Sequence, residues 1–149
     1  MELKDEDEII HLLIKEIELI PQLSTFSDTG TVREYAETGF SFVAKKNGVI
    51  VGVMMAQKMM DFGNDCVFIN NFAVESSFQG QGIGTQMMNH LEYLTRKKCK
   101  STVAQIMLCT NKNRKAYDIY HKWGFRDQGP ETVYLSSIIS TDYEREKEQ

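Results

Sequence analysis

Residues 78–85 read Phe-Gln-Gly-Gln-Gly-Ile-Gly-Thr, three glycines at alternate positions between the apolar run Cys66–Val74 and a stretch where Ile83, Met87, Leu91 and Leu94 recur at helical spacing. Apolar periodicity changes from that of a strand to that of a helix across this loop, so the chain must leave a sheet and enter a helix within a few residues. Gly80, Gly82 and Gly84 permit positive φ and let backbone N–H groups approach a ligand closely. At a helix N-terminus those N–H groups lack intrahelical acceptors and the macrodipole favours negative charge. The stretch therefore reads either as an anion cradle, phosphate first, or as a plain tight turn.

The remaining sequence supplies the frame. Asp5–Ile20 carries apolar residues near a helical repeat with acids in its first turn and Pro21 beyond its end, which predicts a first helix. After a polar loop, Thr31–Thr38 reads as a short second helix stopped by Gly39. Phe40–Ala44 and Val49–Met60 are strand-like and are joined by Lys45-Lys46-Asn47-Gly48, whose Asn-Gly pair is a strong antiparallel hairpin signal. A turn over Asp61–Asp65 leads to a buried strand at Cys66–Val74, and then come the loop and a helix over Ile83–Lys98. Val103–Leu108 reads as a strand, Asn113–Trp123 as an amphipathic helix ended by Gly124, and Phe125–Ile139 as a last strand pairing. The order predicts a mixed α/β (α+β) fold with about four helices packed on a largely antiparallel sheet of about six or seven strands. Residues 1–141 read as one domain and 142–149 as a solvated, charged C-terminal tail.

Two nucleotide motifs fail on their spelling. A P-loop needs Gly-Lys-Ser/Thr where this chain has Gly84-Thr85-Gln86. A Rossmann turn needs GxGxxG directly after its strand, with an acid about 20 residues further on. Gln79-x-x-Gly82-x-Gly84 instead resembles the Q/RxxGxG/A signature of the GNAT superfamily of acyl-CoA-dependent N-acetyltransferases. Asn113-x-x-Ala116-x-x-x-Tyr120-x-x-x-Gly124-Phe125 is similar to that family's second motif, one helix and one strand further along. The two matches span Asp65 to about Phe125.

The resemblance implies a GNAT-like fold and direct transfer of an acetyl group from acetyl-CoA, as co-substrate, to a primary amine of a small molecule or peptide. It implies main-chain contacts to the pantetheine arm from Phe72, Ala73 and Val74, where the strand splays from its neighbour at a bulge. It places the diphosphate at Gln79, Gly80, Gln81, Gly82, Ile83, Gly84 and Thr85, adds Asn113 as a coenzyme contact or helix N-cap, and makes Tyr120 the acid that protonates the leaving thiolate. A phenol with a pKa near 10 carries its proton at neutral pH and suits that role. Tyr120 also reads as a core aromatic, and Phe72 and Val74 as core side chains. Many relatives carry an acid just before the Phe72 position, where this chain has Asn70 and Asn71, which cannot act as bases. That leaves water leading to Glu37, Asp61 or Glu75, or an acceptor arriving as free amine, and it motivates the alternative of a CoA-binding regulatory or sensing domain with little turnover.

Other functions have less support. Cys66, Cys99 and Cys109 lack CxxC spacing, and His11, His90 and His121 are scattered, so neither a disulfide framework nor a metal site is expected. A covalent route through Cys109 lacks a visible His-Asp pair. The formal charge of −4 is concentrated at the two ends, no basic face is interleaved with aromatics, and no nucleic-acid partner is expected. Lys112, Arg114 and Lys115 read as an exposed helix face or as contacts to a ribose phosphate. Met54, Met55, Met59 and Met60 read as core or as an adaptable pocket. No apolar run approaches the roughly 20 residues of a membrane helix, so the protein is expected to be cytoplasmic and off the membrane. Family analogy alone leaves a homodimer open.

Overall fold

The computed structural model describes residues 8, 9, 12, 30–60, 65–100, 103–110, 115–127 and 133–140. Its elements are α1 (Gly30–Glu37), β1 (Phe42–Lys46), β2 (Val49–Met60), β3 (Asp65–Val74), a 3-10 turn (Ser76–Phe78), α2 (Ile83–Lys98), β4 (Val103–Thr110), α3 (Lys115–Lys122), β5 (Arg126–Asp127) and β6 (Val133–Ser140). The described residues thus hold six strands and three α-helices with defined bounds. Of the helix expected over 5–20, only Glu8, Ile9 and Leu12 are described, all helical; the rest of it, the tail and Met60's side chain lie outside. Contacts group Met1–Gln57 with Asn71–Leu91 into one compact unit, and Lys58–Asn70 with Glu92–Gln149 into another.

In the first unit, β1 and β2 pair antiparallel across the Asn47-Gly48 turn. Both turn residues have positive φ, 53° and 78°, the backbone that matches the twist of a two-residue hairpin. β1 begins at Phe42, later than its apolar run suggests, because Ser41 uses its side chain where a strand would use its backbone. The Ser41 hydroxyl takes the Ala56 amide at 2.9 Å, and both Ser41 and Thr38 hydroxyls lie 2.8 Å from the Ala56 carbonyl. Thr38 also closes α1 onto the Tyr35 carbonyl, with Gly39 following at φ 77° as the left-handed cap.

A β-bulge defines the middle of this unit. Ala44 opposes Gly52 while the next residue, Lys45, opposes Ile50, so Val51 is the extra residue of β2. Ile50 is thereby turned into the cluster of Ile9, Leu12, Val53, Met55 and Ala73, with Tyr35 and Val43 packed against it. β2 is buried continuously from Ile50 to Ala56, as expected for a strand covered on both faces. Met54 and Met55 are therefore core, whereas Met59 is exposed. α2 buries Met87, Met88 and Leu91, and the end of the Met87 side chain lies against Gly52: a Cβ there would lie 2.5 Å from Met87 Sδ.

In the second unit, β3 and β4 run parallel from Asp65↔Ala104 to Ile69↔Leu108. β4 pairs antiparallel with β6, and β6 with β5. Ala104, Ile106 and Leu108 are buried and alternate with more accessible neighbours, the pattern of a strand packed on one face. Asp65 anchors the start of β3 through an ion pair with Lys58 at 2.7 Å and by accepting the Lys100 amide at 2.7 Å. Arg96, Lys97 and Lys98 occupy the last turn of α2, where they complement the macrodipole. The last strand pairing expected over Phe125–Ile139 resolves into two short strands, β5 and β6.

Replacing Gly52 by valine forces a branched side chain into the Met87 contact. The expected cost is about 1–3 kcal/mol from overpacking, read as a lowered midpoint in thermal or urea unfolding with an unchanged urea m-value.

Candidate functional site

The glycine loop starts from a clamped strand end. The Val51 carbonyl, carried by the extra residue of the bulge, accepts the Glu75 amide at 2.8 Å. The chain then makes its 3-10 turn, with the Phe78 amide donating to the Glu75 carbonyl at 2.8 Å. The Gln79 side-chain amide donates back to the Val74 carbonyl at 2.9 Å, so this side chain braces the loop against the strand. Gly80 and Gly82 follow at φ 78° and 83°, a backbone that an L side chain adopts at a cost. A Cβ at either would meet nothing within 4 Å, so it is the backbone conformation, not crowding, that selects glycine, and the space in front of both is open. Gly84 differs from the sequence-based expectation. It lies inside α2 and is absent from the positive-φ set.

The Gln86 amide donates to the Gly82 carbonyl at 3.0 Å, which makes Gly82 the cap of α2. Ile83, Gly84 and Thr85 form the first turn, whose N–H groups have no intrahelical acceptor. No acid lies in that turn. Gly80, Gln81, Gly82 and Thr85 are exposed and Ile83 and Gly84 half-buried. The strand leading in is less accessible: Phe72 and Val74 are half-buried, while Ala73 is 7% exposed and belongs to the apolar cluster.

One residue of this region was invisible to sequence reasoning. Lys46, at the end of β1, donates to Gln81 Oε1 at 3.3 Å and sits 5.3 Å over the Phe78 ring. The loop has no lysine of its own, and the hairpin brings one from 35 positions away. The Asn-Gly turn was the signal that could have pointed to Lys46 as an ordered residue, but not to its destination.

Tyr120 belongs to the second unit. It is 7% exposed on α3, with ring centroids 5.8 Å from Trp123 and 5.6 Å from Phe125. The helix ends in a Schellman motif: the Phe125 amide donates to the Tyr120 carbonyl at 3.0 Å and the Gly124 amide to the His121 carbonyl at 3.0 Å, with Gly124 at φ 93°. The Tyr120–Phe125 ring contact is the apolar contact that accompanies such caps. Tyr120 is thus held at its backbone and its ring. Asn113, Lys112, Arg114 and Asp61 lie outside the described residues. Asn70 and Glu37 are exposed, and Asn71 and Glu75 half-buried.

A second polar cluster joins α3 to β5. Tyr117 donates to Asp127 at 2.8 and 3.0 Å, His121 Nε2 lies 2.9 Å from Asp127 Oδ1, and the Tyr117 and His121 rings meet edge-on at 4.5 Å. The hydrogen bond to Asp127, followed by burial and the charges of Asp127 and Asp118, raises the Tyr117 phenol above its ordinary value. Cys66 and Cys99 are buried and Cys109 is exposed. Among the described residues, no three His, Cys, Asp or Glu side chains gather as metal ligands. No helix of the described residues is long and apolar enough to cross a membrane.

The family model described as "Acetyltransferase (GNAT) family" matches residues 8–125. Among solved structures, Arabidopsis thaliana Naa50 in complex with the bisubstrate analogue CoA-Ac-MVNAL superposes with a TM-score of 0.58 at 22% identity, over 70% of this chain and 79% of that one. The Escherichia coli ribosomal-protein-S18-alanine N-acetyltransferase gives 0.67 at 17%, over 95% and 90%. The aminoglycoside N-acetyltransferase AAC(6')-Iy in complex with CoA gives 0.63 at 19%, over 87% and 91%. These likenesses show a shared fold, mixed α/β with a largely antiparallel sheet. No curated protein matches significantly.

Gly80→Ala and Gly82→Ala are each expected to lower stability by about 1–2 kcal/mol through the left-handed backbone, measured by urea unfolding. The Tyr117 phenol, raised in the folded state, contributes stability that is complete below the unfolded pKa of about 10 and is lost as pH rises through the folded value. Tyr117→Phe is expected to remove that alkaline loss from a plot of unfolding free energy against pH.

Proposed function

Because this chain belongs to the GNAT acetyltransferase family, we propose that it moves an acetyl group from acetyl-CoA directly to a primary amine of a peptide or small molecule. The observation that carries this reading is the loop at the head of α2. There two glycines held at positive φ face open space and lead into a helical turn with unsatisfied N–H groups and no acid. Such a turn suits a diphosphate, and Gln79, Gly80, Gln81, Gly82, Ile83, Gly84 and Thr85 are the residues proposed to hold it. The neighbours in complex with CoA or a CoA-linked analogue support the same co-substrate.

The pantetheine arm is proposed to lie along Phe72, Ala73 and Val74, as in β-strand addition. The ladder of β3 with β4 closes at Ile69↔Leu108 although Asn70 on one strand and Cys109 and Thr110 on the other keep strand conformation, and this favours a splay at that point. Since the Ala73 methyl is part of the apolar cluster, this residue contributes through its main chain. Asn113 joins the coenzyme site by motif.

Tyr120 is the proposed catalytic acid. As the amine nitrogen adds to the thioester carbonyl, main-chain N–H donors near Phe72 stabilise the oxyanion. When the C–S bond breaks, the Tyr120 phenol gives its proton to the departing sulfur, the proton shed by the acylated nitrogen restores the phenol through water, and the amide is left on the acceptor. Asn70 and Asn71 take no proton, so the acceptor either loses its ammonium proton through water leading to Glu37, Asp61 or Glu75 or arrives as the free amine, and kcat/KM is expected to rise with pH along the amine's own ionisation. Acceptors named by the neighbours are a peptide analogue, ribosomal-protein-S18-alanine and aminoglycosides, which motivates the pairing of peptide and small-molecule amines.

Acetyl-CoA at 100 times its dissociation constant is expected to stabilise the protein by about 2.7 kcal/mol, and thiol release with a panel of amines is expected to identify the acceptor. Tyr120→Phe should lower kcat by about 10²–10⁴-fold, the range of one proton donor, while leaving the acetyl-CoA dissociation constant within about twofold. No stabilisation by any acyl-CoA, or full turnover by Tyr120→Phe, would refute the corresponding assignment.

A further inference from the structure

We propose that Lys46, contributed by the β1–β2 hairpin, is the cation for the coenzyme's diphosphate, supplying from a distant part of the chain the positive charge that the glycine loop lacks. This rests on the acyl-CoA reading above and adds to it a residue that neither the loop motif nor the second motif contains. From Val74 to Gln86 the only formally charged residue is Glu75, so backbone dipoles alone would have to meet at least two negative charges. Dipoles orient such a group, but a nearby full charge raises affinity and steers approach.

Lys46 is prepared for that task in three respects. Its backbone is fixed by pairing with Val49 beside a turn whose two residues hold positive φ, so its origin is rigid although its stem is flexible. Its ammonium is held at the loop by neutral partners only, the Gln81 amide oxygen at 3.3 Å and the Phe78 ring at 5.3 Å. Among the described residues no acid pairs with it, so its charge is uncompensated where an anion would arrive. Gln81, which holds it, stands between the two positive-φ glycines. A small rotation of the lysine stem exchanges an amide oxygen for a phosphate oxygen, a stronger, charge-assisted partner.

The experiment is calorimetric titration of wild type, Lys46→Met and Lys46→Arg with CoA and with 3'-dephospho-CoA, at low and moderate salt. Lys46 is exposed, and unchanged thermal midpoints without ligand show that the variants fold. The expected result is a loss of about fivefold in affinity for Lys46→Met, equal for both ligands, with a weaker salt dependence and with affinity retained in Lys46→Arg. Equal affinity of Lys46→Met and wild type overturns the proposal. A loss seen with CoA but not with 3'-dephospho-CoA also overturns it, assigning the lysine to the ribose phosphate. Failure of wild type to bind either ligand is a separate result: it removes the acyl-CoA reading and this proposal with it.

Discussion

The hydrogen bond from the Glu75 amide to the Val51 carbonyl, 2.8 Å long, ties the end of β3 to the extra residue of a bulge in β2. The loop geometry follows from it. The bulge sets Ile50 into the core and presents a carbonyl that regular pairing with β1 does not use. With that anchor and the Gln79 brace on Val74, the chain enters the loop at a fixed point, and Gly80 and Gly82 complete the turn into α2. A preorganised backbone matters here because main-chain N–H groups can bind an anion only if their directions are set beforehand. Loops of this kind hold their geometry through what flanks them.

The second unit solves a different problem, keeping one aromatic residue in place. Tyr120 is the third residue from the end of its helix and meets Phe125 across the glycine cap, so the device that ends the helix also seats the ring. Nearby, Asp127 gathers Tyr117 and His121 on the outer side of the same short helix. α3 is therefore secured at its buried face by aromatic packing and at its accessible face by hydrogen bonds, which for eight residues replaces the stability that length would give.

Much of the frame was legible in the sequence because local rules fixed it. The α2 limits coincide with the expected Ile83–Lys98, the Asn-Gly turn forms, and Gly39 and Gly124 end their helices with positive φ. Among the loop glycines, Gly80 and Gly82 take the left-handed backbone, while Gly84 is helical, since one residue past the cap the chain has already joined the spiral. What could not be read depends on distant partners. The start of β1 shifts because a serine hydroxyl replaces a backbone group, and nothing in the spelling of Val49–Met60 singles out Val51 as the extra residue of a bulge. Lys46 reaches the loop through hairpin length and twist. Gln79 carried a motif position in the sequence and in the fold is also a brace. The Asp127 cluster joins residues up to ten apart across a cap, with no pattern to announce it.

Amide NMR of the protein titrated with CoA reads the glycine loop one N–H group at a time. Large downfield shifts are expected at the N–H groups of Gly80 through Thr85, the backbone donors that would meet the diphosphate, saturating together with smaller shifts at Phe72, Ala73 and Val74 along the pantetheine arm. Saturable shifts that leave the six loop amides unmoved and cluster on another surface would contradict this placement of the diphosphate.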